Sequence, residues 1–285
     1  MRSWLFVPGN RPAMIDKARA SGADVVIIDL EDSVMPDDKS DARQQALAAL
    51  RAPRRGHRLW IRVNALDTEQ CQQDVAMALS GGADGLVLPK ALGGDSIRAL
   101  IGHAEALGGR CPPVLAVATE TAQALFGLGS YGGLGESLHG LSWGAEDLSA
   151  DIGSSTSRDS QGALTGPYVM ARNLMLAGAV AAGVQPVDAV WTDFRDTQGL
   201  EAECLAALRD GFTGKMAIHP AQVPVINRCF TPSDEDVAEA RRVVAAFEAM
   251  PGRGAVSLDG KMLDIPHLKR ARRLLARWRE LSQGV

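Results

Sequence analysis

Residues 25–32, Val-Val-Ile-Ile-Asp-Leu-Glu-Asp, decide the fold. Four β-branched residues in succession are typical of a strand buried on both faces, as the strands of a parallel sheet are. Asp29, Glu31 and Asp32 follow at once, so ionisable side chains stand where the buried run ends. Seven further apolar runs are short in the same way, and most are also followed by an ionisable residue: 4–7, 59–61, 85–88, 114–117, 139–143, 187–191 and 215–218.

Amphipathic stretches separate these runs and predict helices, most clearly over 11–20, 41–50, 69–80, 95–107 and 166–182. Strand alternating with helix eight times predicts a TIM (β/α)8 barrel with right-handed crossovers. An open doubly wound sheet is the alternative, but eight units in one uninterrupted series favour closure. Because barrels build their active sites at the carboxyl ends of the strands, the charged residues there predict an enzyme.

The composition changes after Phe230, which predicts a barrel over 1–230 and a C-terminal helix–loop–helix extension over 231–285. Ser233 is the expected N-cap of a helix that runs to about Met250. A turn-rich, hairpin-like segment over 251–264 follows, and then a last helix over 266–282 with Pro266 at its first position. We expect this extension to act as a lid or a subunit contact.

Composition narrows the class of protein. The 285 residues are 46% hydrophobic and 22% charged with a net charge of −4, which is typical of a soluble protein and gives no sign of a nucleic-acid partner. The four cysteines show no CxxC spacing, so reduced thiols are expected. No apolar run approaches the roughly 20 residues of a membrane span, and the N-terminus does not resemble a signal peptide. We expect a cytoplasmic protein without a membrane partner.

Glu120 and Asp147 are the first candidate site residues, since they follow the fifth and sixth runs. Neighbouring strand ends of a barrel would bring both carboxylates within reach of one ion. Oxygen ligands without a nearby His or Cys suit Mg²⁺ or Mn²⁺, with water and substrate oxygens completing the shell. The alternative is a pair of acids that cap the following helices.

Arg62 and Lys90 follow the third and fourth runs. An arginine leaving a barrel core needs partners, and its forked donors suit a carboxylate or an enolate oxygen. Lys90 is open to three interpretations: a Schiff-base nucleophile, an electrostatic clamp, or an ion pair with Glu31 or Asp32. The acidic stretch 29–32 is itself either a group that orients metal-bound waters and basic residues or a structural ion-pair cluster.

Other motifs predict less. Residues 127–132 match GxGxxG, but they follow a helix and precede a strand, which is the reverse of the dinucleotide-binding order. The five histidines have no metal-binding spacing, and among them only His219 falls at a strand end on the predicted catalytic face. The basic run 269–279 predicts a solvated helix face, with a contact to coenzyme phosphates as a weaker alternative.

Taken together, these motifs resemble the citrate lyase β-subunit and malyl-CoA lyase family nearly from end to end. The matching segments are RSWLFVPG at 2–9, DLEDSV at 29–34, RVN at 62–64, LPK at 88–90, ETA at 120–122, GAED at 144–147, IHPAQ at 218–222 and GKMLDIPH at 260–267.

The resemblance implies a Mg²⁺-dependent carbon–carbon lyase that acts on an acyl thioester, with the metal on Glu120 and Asp147. It also implies that Arg62 meets the substrate carbonyl or enolate and that Asp264 is the acid–base residue of the C-terminal lid. Glu31, Asp32 and Lys90 become expected substrate-binding residues. Coenzyme A, as part of the substrate, is expected near Phe6, Pro8, His219 and Pro220, and a homotrimer or a multiple of it is implied.

The function predicted on this basis is cleavage of a 3-hydroxyacyl-CoA such as citramalyl-CoA or malyl-CoA to acetyl-CoA and a 2-oxo acid. One alternative is the β-subunit of a citrate lyase complex, which uses a thioester on a carrier protein. Others are a malate-synthase-like thioesterase and a metal-independent Schiff-base aldolase that uses Lys90. Nothing in the sequence distinguishes which acyl group is cleaved.

Overall fold

Eight parallel strands close into a barrel in sequence order, with β1 beside β8, in a computed structural model that describes residues 1–53 and 56–283. This confirms the TIM barrel. The strands are β1 Ser3–Pro8, β2 Val25–Asp29, β3 Arg58–Arg62, β4 Gly85–Leu88, β5 Val114–Val117, β6 Leu138–Ser142, β7 Gln185–Asp188 and β8 Gly214–Ala217.

The barrel interior is a packed apolar core rather than a pore. Trp4 and Trp60 meet edge to face with ring centroids 4.9 Å apart, and both are fully buried. A side chain at Gly85 would collide with the Trp60 ring, which explains a glycine inside β4. Above this layer the inward-facing residues turn polar, because the strand register pairs Asp29 with Arg62 at the carboxyl ends of β2 and β3.

Helices follow the strands and cover the barrel. They are α1 Pro12–Arg19, α2 Lys39–Arg51, α3 Glu69–Gly81, α4 Gly94–Ala106, α5 Ala122–Gly127, α6 Glu146–Ile152, α7 Gly166–Ala182, α8 Thr197–Asp210 and α9 Val223–Cys229. The five helices predicted from amphipathic periodicity are present, with ends within two residues of the prediction. The GxGxxG match falls on a 3-10 turn, Leu128–Tyr131, as its context indicated.

The seventh apolar run was placed wrongly. Strand β7 ends at Asp188, and residues 189–191 have already left the sheet. The reason is pairing, since β6 and β8 offer partners only as far as Val187 and Asp188. The acid at this strand end is therefore Asp188, whereas Asp193, the first acid after the predicted run, lies exposed in the following loop.

The chain forms two compact units, Met1–Asn227 and Arg228–Val285. In the second, α10 Asp234–Glu248 begins at the predicted Ser233 cap, and α11 spans Ile265–Ser282. Between them β9 Ala255–Leu258 and β10 Lys261–Asp264 form an antiparallel hairpin. Asp259 and Gly260 at its turn both have positive φ, as a type I′ turn requires. Across the two described stretches of the chain, no helix is both long and apolar enough to cross a bilayer.

Candidate active site

Ionisable side chains gather at the carboxyl ends of β2 to β6. The centre of the group is Arg62, whose Nε and Nη2 donate to the two carboxylate oxygens of Asp29 at 2.7 and 2.6 Å. Its Nη1 lies 3.0 Å from Glu31 Oε2, and its guanidinium stands over the Phe6 ring at 4.9 Å. These contacts hold the arginine in one orientation at the top of the barrel core.

The Asp29–Arg62 pair is charged despite its burial. Burial raises the pKa of Asp29, but the Arg62 guanidinium outweighs it and keeps that pKa below its ordinary value. Burial likewise opposes the charge on Arg62, and the adjacent acids raise its pKa overall. The Nε and Nη2 groups of the guanidinium donate to Asp29, whereas Nη1 is held near Glu31 by an ion pair.

Lys90 links the acidic stretch to the Glu120–Asp147 pair. Its Nζ lies 2.5 Å from Glu31 Oε1 and 3.5 Å from Asp147 Oδ1, and its backbone N–H donates to Glu120. To make these contacts it adopts a positive φ of 52°, which is uncommon for a residue with a side chain. Burial opposes its charge, but the hydrogen bond to Glu31 outweighs it and raises the pKa of Lys90. The lysine thus lacks the lowered pKa of a Schiff-base nucleophile.

Glu120 and Asp147 are close enough to influence each other. Burial raises the pKa of Glu120 to about 8, with a smaller contribution from the neighbouring Asp147 and Glu31 carboxylates. Glu120 is 4% exposed, and a Cβ at Gly144 would lie only 3.1 Å from its Cγ. The glycine that precedes Asp147 by three residues therefore lets the β6–α6 loop lie directly against the Glu120 side chain.

This donor set fits a hard divalent cation. The Glu120 and Asp147 carboxylates influence each other, with a third, Glu31, nearby, and a cation would favour the ionised form of Glu120, which burial and the neighbouring carboxylates disfavour. Within residues 1–53 and 56–283, no three His, Cys, Asp or Glu side chains converge as a fully protein-ligated metal would need. That Glu120 and Asp147 hold a Mg²⁺ ion, with water and substrate oxygens completing its shell, stays a prediction.

The four residues predicted to meet coenzyme A lie on β1 and just after β8, which are neighbouring strands. Phe6 and Pro8 are half-buried on β1. His219 stacks on Phe194 with ring centroids 4.6 Å apart, and its Nδ1 accepts from the N–H of Ala221 in the short turn that begins at Pro220. An aromatic stack beside a turn can accept a flat group, but the coenzyme contact stays a prediction.

Asp264 lies in the second compact unit, at the end of β10, where it caps α11. Its Oδ1 is 2.5 Å from His267 Nδ1, and its side chain is half exposed. The hydrogen bond with His267 lowers the pKa of Asp264 below its ordinary value, so the carboxylate is ionised at neutral pH. An ionised, accessible carboxylate is able to accept a proton, and its role as the catalytic base stays a prediction.

Comparison with known proteins agrees with this geometry. Residues 2–220 match the family model described as HpcH/HpaI aldolase/citrate lyase, and residues 168–280 match one described as a C–C bond lyase of the TIM-barrel fold. The chain belongs to the HpcH/HpaI aldolase/citrate lyase family.

Individual relatives cover nearly the whole chain. An L-malyl-CoA/beta-methylmalyl-CoA lyase of Cereibacter sphaeroides is 36% identical over 95% of this chain and 92% of its own length. A (3S)-malyl-CoA thioesterase of the same species is 35% identical over 97% of this chain and 94% of its own. The crystal structure of CitE from Mycobacterium tuberculosis, in complex with magnesium, acetoacetate and coenzyme A, is 35% identical with a TM-score of 0.78, over 97% of each chain.

Two supporting residues of this family member had no signal in its sequence. Lys39 Nζ donates to the carbonyl oxygens of Leu30 and Glu31 and to Asn64 Oδ1 at 2.6 to 2.7 Å. Fully buried Asp74 accepts from the backbone and side-chain N–H groups of Asn64 at 2.9 and 2.6 Å. Both lie on helices, and only the packing of α2 and α3 on the barrel brings them to the acidic stretch.

Proposed function

We propose that this chain is a Mg²⁺-dependent carbon–carbon lyase that cleaves a 3-hydroxyacyl-CoA thioester, such as malyl-CoA or citramalyl-CoA, to acetyl-CoA and a 2-oxo acid. One observation carries the proposal. The Glu120–Asp147 carboxylate pair stands beside an oriented guanidinium, Arg62, at the carboxyl end of a barrel. Lyases among the relatives, and magnesium and coenzyme A in the CitE structure, support it.

Each residue has a defined task in this reaction. Glu120 and Asp147 would hold the cation, which when bound supplies a Lewis acid for the carboxylate and hydroxyl of the substrate. A base, Asp264, takes the hydroxyl proton, and the oxygen forms a carbonyl as the bond between the second and third carbons breaks. The electron pair of that bond becomes an enolate on the thioester. The positive charge of the Arg62 guanidinium stabilises the negative oxygen, and a proton returned to carbon completes acetyl-CoA.

The test is a panel of CoA thioesters incubated with purified protein, Mg²⁺ or EDTA. We expect malyl-CoA or citramalyl-CoA to yield acetyl-CoA and a 2-oxo acid in equal amounts, and EDTA to abolish the reaction. An Arg62→Met variant, which keeps an unbranched apolar side chain and removes the guanidinium that lies over Phe6, serves as the inactive control. No cleavage of any thioester in the presence of Mg²⁺ would contradict the proposal.

A second candidate is hydrolysis of malyl-CoA, which the similarity to a (3S)-malyl-CoA thioesterase supports. The two reactions leave different products, because hydrolysis releases a free thiol and the lyase reaction does not. A thiol reagent and a carbonyl reagent in parallel assays therefore distinguish them. A subunit of a citrate lyase complex would instead be inactive on free CoA esters and active on a carrier-bound thioester.

The assembly proposed for this lyase is a homotrimer or a multiple of it, in the cytoplasm. The support is the resemblance to a family in which the C-terminal lid commonly closes over the site of a neighbouring subunit. The four cysteines, Cys71, Cys111, Cys204 and Cys229, are all buried. Light scattering on the eluting protein would give the subunit number, and a monomer of full activity would contradict the assembly.

A further inference from the structure

A second charged cluster lies outside the barrel interior, between the strands and the helices around them. Asp188 on β7 and Lys215 on β8 are both fully buried, and Lys215 Nζ is 2.9 Å from Asp188 Oδ2. The neighbours Val187 and Met216 point into the barrel core, so the two charged side chains point outward. Glu203 of α8 and Arg172 of α7 extend the cluster, at 2.8 Å from Lys215 and 3.2 Å from Asp188.

Asp188 also accepts a hydrogen bond from Trp143, whose Nε1 is 2.7 Å from Oδ1. Trp143 is the first residue after β6, and it is 4% exposed. The next residues form the loop that leads to Asp147. The first residue of this loop, Gly144, donates its N–H to Thr119 Oγ1 at 3.3 Å and lies against Glu120.

Stability of the core does not require charged residues at these positions. A buried carboxylate is costly to desolvate, and apolar residues of similar volume commonly serve a core equally well. Burial raises the pKa of Asp188, but Lys215 and Arg172 outweigh it and hold the group ionised below its ordinary pKa. Lys215 and Arg172 hold the ionised Asp188 carboxylate in one position. The carboxylate in turn fixes the indole of Trp143, the residue from which the loop to Asp147 begins.

We propose that Asp188 is a positioning residue of the active site, which acts through Trp143 to hold the β6–α6 loop so that Asp147 meets the ion beside Glu120. The identity of the ion rests on the proposed function, whereas the Asp188–Trp143 contact does not. Supporting residues behind metal ligands typically change metal affinity by about 10- to 100-fold when they are lost.

The main variant is Trp143→Phe, which removes the indole N–H and keeps an aromatic ring. Trp60→Phe is its matched control, because Trp60 is also a buried tryptophan, and its Nε1 has no hydrogen-bond partner. Asp188→Asn is the second variant, since it keeps an acceptor oxygen and removes the charge that fixes it. Mn²⁺ affinity is measured on each protein by electron paramagnetic resonance without substrate, beside Tm and the kcat at saturating Mn²⁺.

We expect Trp143→Phe to weaken Mn²⁺ binding by about 10-fold or more relative to Trp60→Phe at a similar Tm, with kcat largely restored at saturating Mn²⁺. Asp188→Asn should weaken binding in the same direction wherever it folds. Equal Mn²⁺ affinity in Trp143→Phe and Trp60→Phe would overturn the positioning role and leave the proposed function intact. A wild-type protein that binds no Mn²⁺ would instead overturn the proposed function.

Discussion

The carboxylate of Asp264 is half exposed, and the hydrogen bond to His267 keeps it ionised, so it carries no proton of its own and can accept one. We expect Asp264→Asn to lower kcat by about 10²- to 10⁴-fold, because general-base catalysis contributes on that scale. Mn²⁺ affinity should not change, since the metal carboxylates are untouched. Steady-state kinetics with an equilibrium metal titration checks both statements.

The control for this variant is Asp259→Asn in the hairpin turn of the same unit. Asp259 has a φ of 51°, a conformation that asparagine adopts readily. It should therefore fold and turn over substrate like the wild type. Full activity in Asp264→Asn would remove this residue from the role of base.

Lys90 gives a second prediction at the level of one side chain. Its ammonium is 2.5 Å from Glu31, and its pKa is raised, so it should not condense with a carbonyl. We expect borohydride treatment in the presence of a 2-oxo acid to leave the mass of the protein unchanged. Lys90→Met sets the background for the peptide mass spectrum. A reduced adduct on Lys90 that forms equally with EDTA would establish the Schiff-base aldolase instead.

Strand β6 supplies a pH-sensitive group near the amino-terminal end of the barrel, far along the strand from Trp143. His139 contacts the rings of Trp4 and Trp60 at 5.6 and 5.4 Å, and burial lowers its pKa from 6.5 to about 4. The folded protein therefore favours the neutral ring. Above pH 6.5 this histidine does not lower the free energy of unfolding. As the pH falls towards 4, the unfolded chain takes up a proton that the folded chain does not, and the free energy of unfolding decreases.

This linkage makes a measurable difference at pH 5. We expect the free energy of unfolding to fall by about 2 kcal/mol more between pH 7 and 5 in the wild type than in His139→Gln. Glutamine does not titrate, and its amide can still reach Gln185, the present partner of His139. Urea denaturation at the two pH values gives the difference. Parallel losses in the two proteins would mean that His139 is not the responsible group.

The assembly proposed for the whole molecule can be tested by co-expressing two variants that are each inactive. Arg62→Met removes a residue of the barrel, and Asp264→Asn removes one of the C-terminal unit. If the lid serves a neighbouring subunit, co-expression of the two inactive chains should rebuild intact sites, about a quarter of the total for random mixing in a symmetric ring. Doubly tagged, doubly purified oligomers give a clean measurement. Absence of recovered activity in such oligomers would place Asp264 and Arg62 of one chain in one site.

The sequence by itself determined the barrel and the residues at its rim. Short β-branched runs with helical spacers can satisfy their backbone and bury their side chains only as a parallel sheet under helices, so strand order followed from repetition alone. Strand ends were less certain, as β7 demonstrates, because a strand stops where its neighbours cease to pair. The position of Arg62, Glu120 and Asp147 at the rim was predictable for a related reason, since the carboxyl ends of barrel strands meet on one face.

Only the tertiary structure decided how these residues act on one another. Register between β2 and β3 pairs Asp29 with Arg62, and helix packing brings Lys39 and Asp74 to the acidic stretch. Asp188 reaches Trp143 across 45 residues of sequence. Such contacts leave no periodic trace in the chain, because a side chain's partner depends on where separate elements meet in space. The pKa of each group depends on the same packing of separate elements, since burial and neighbouring charge exist only in the folded protein.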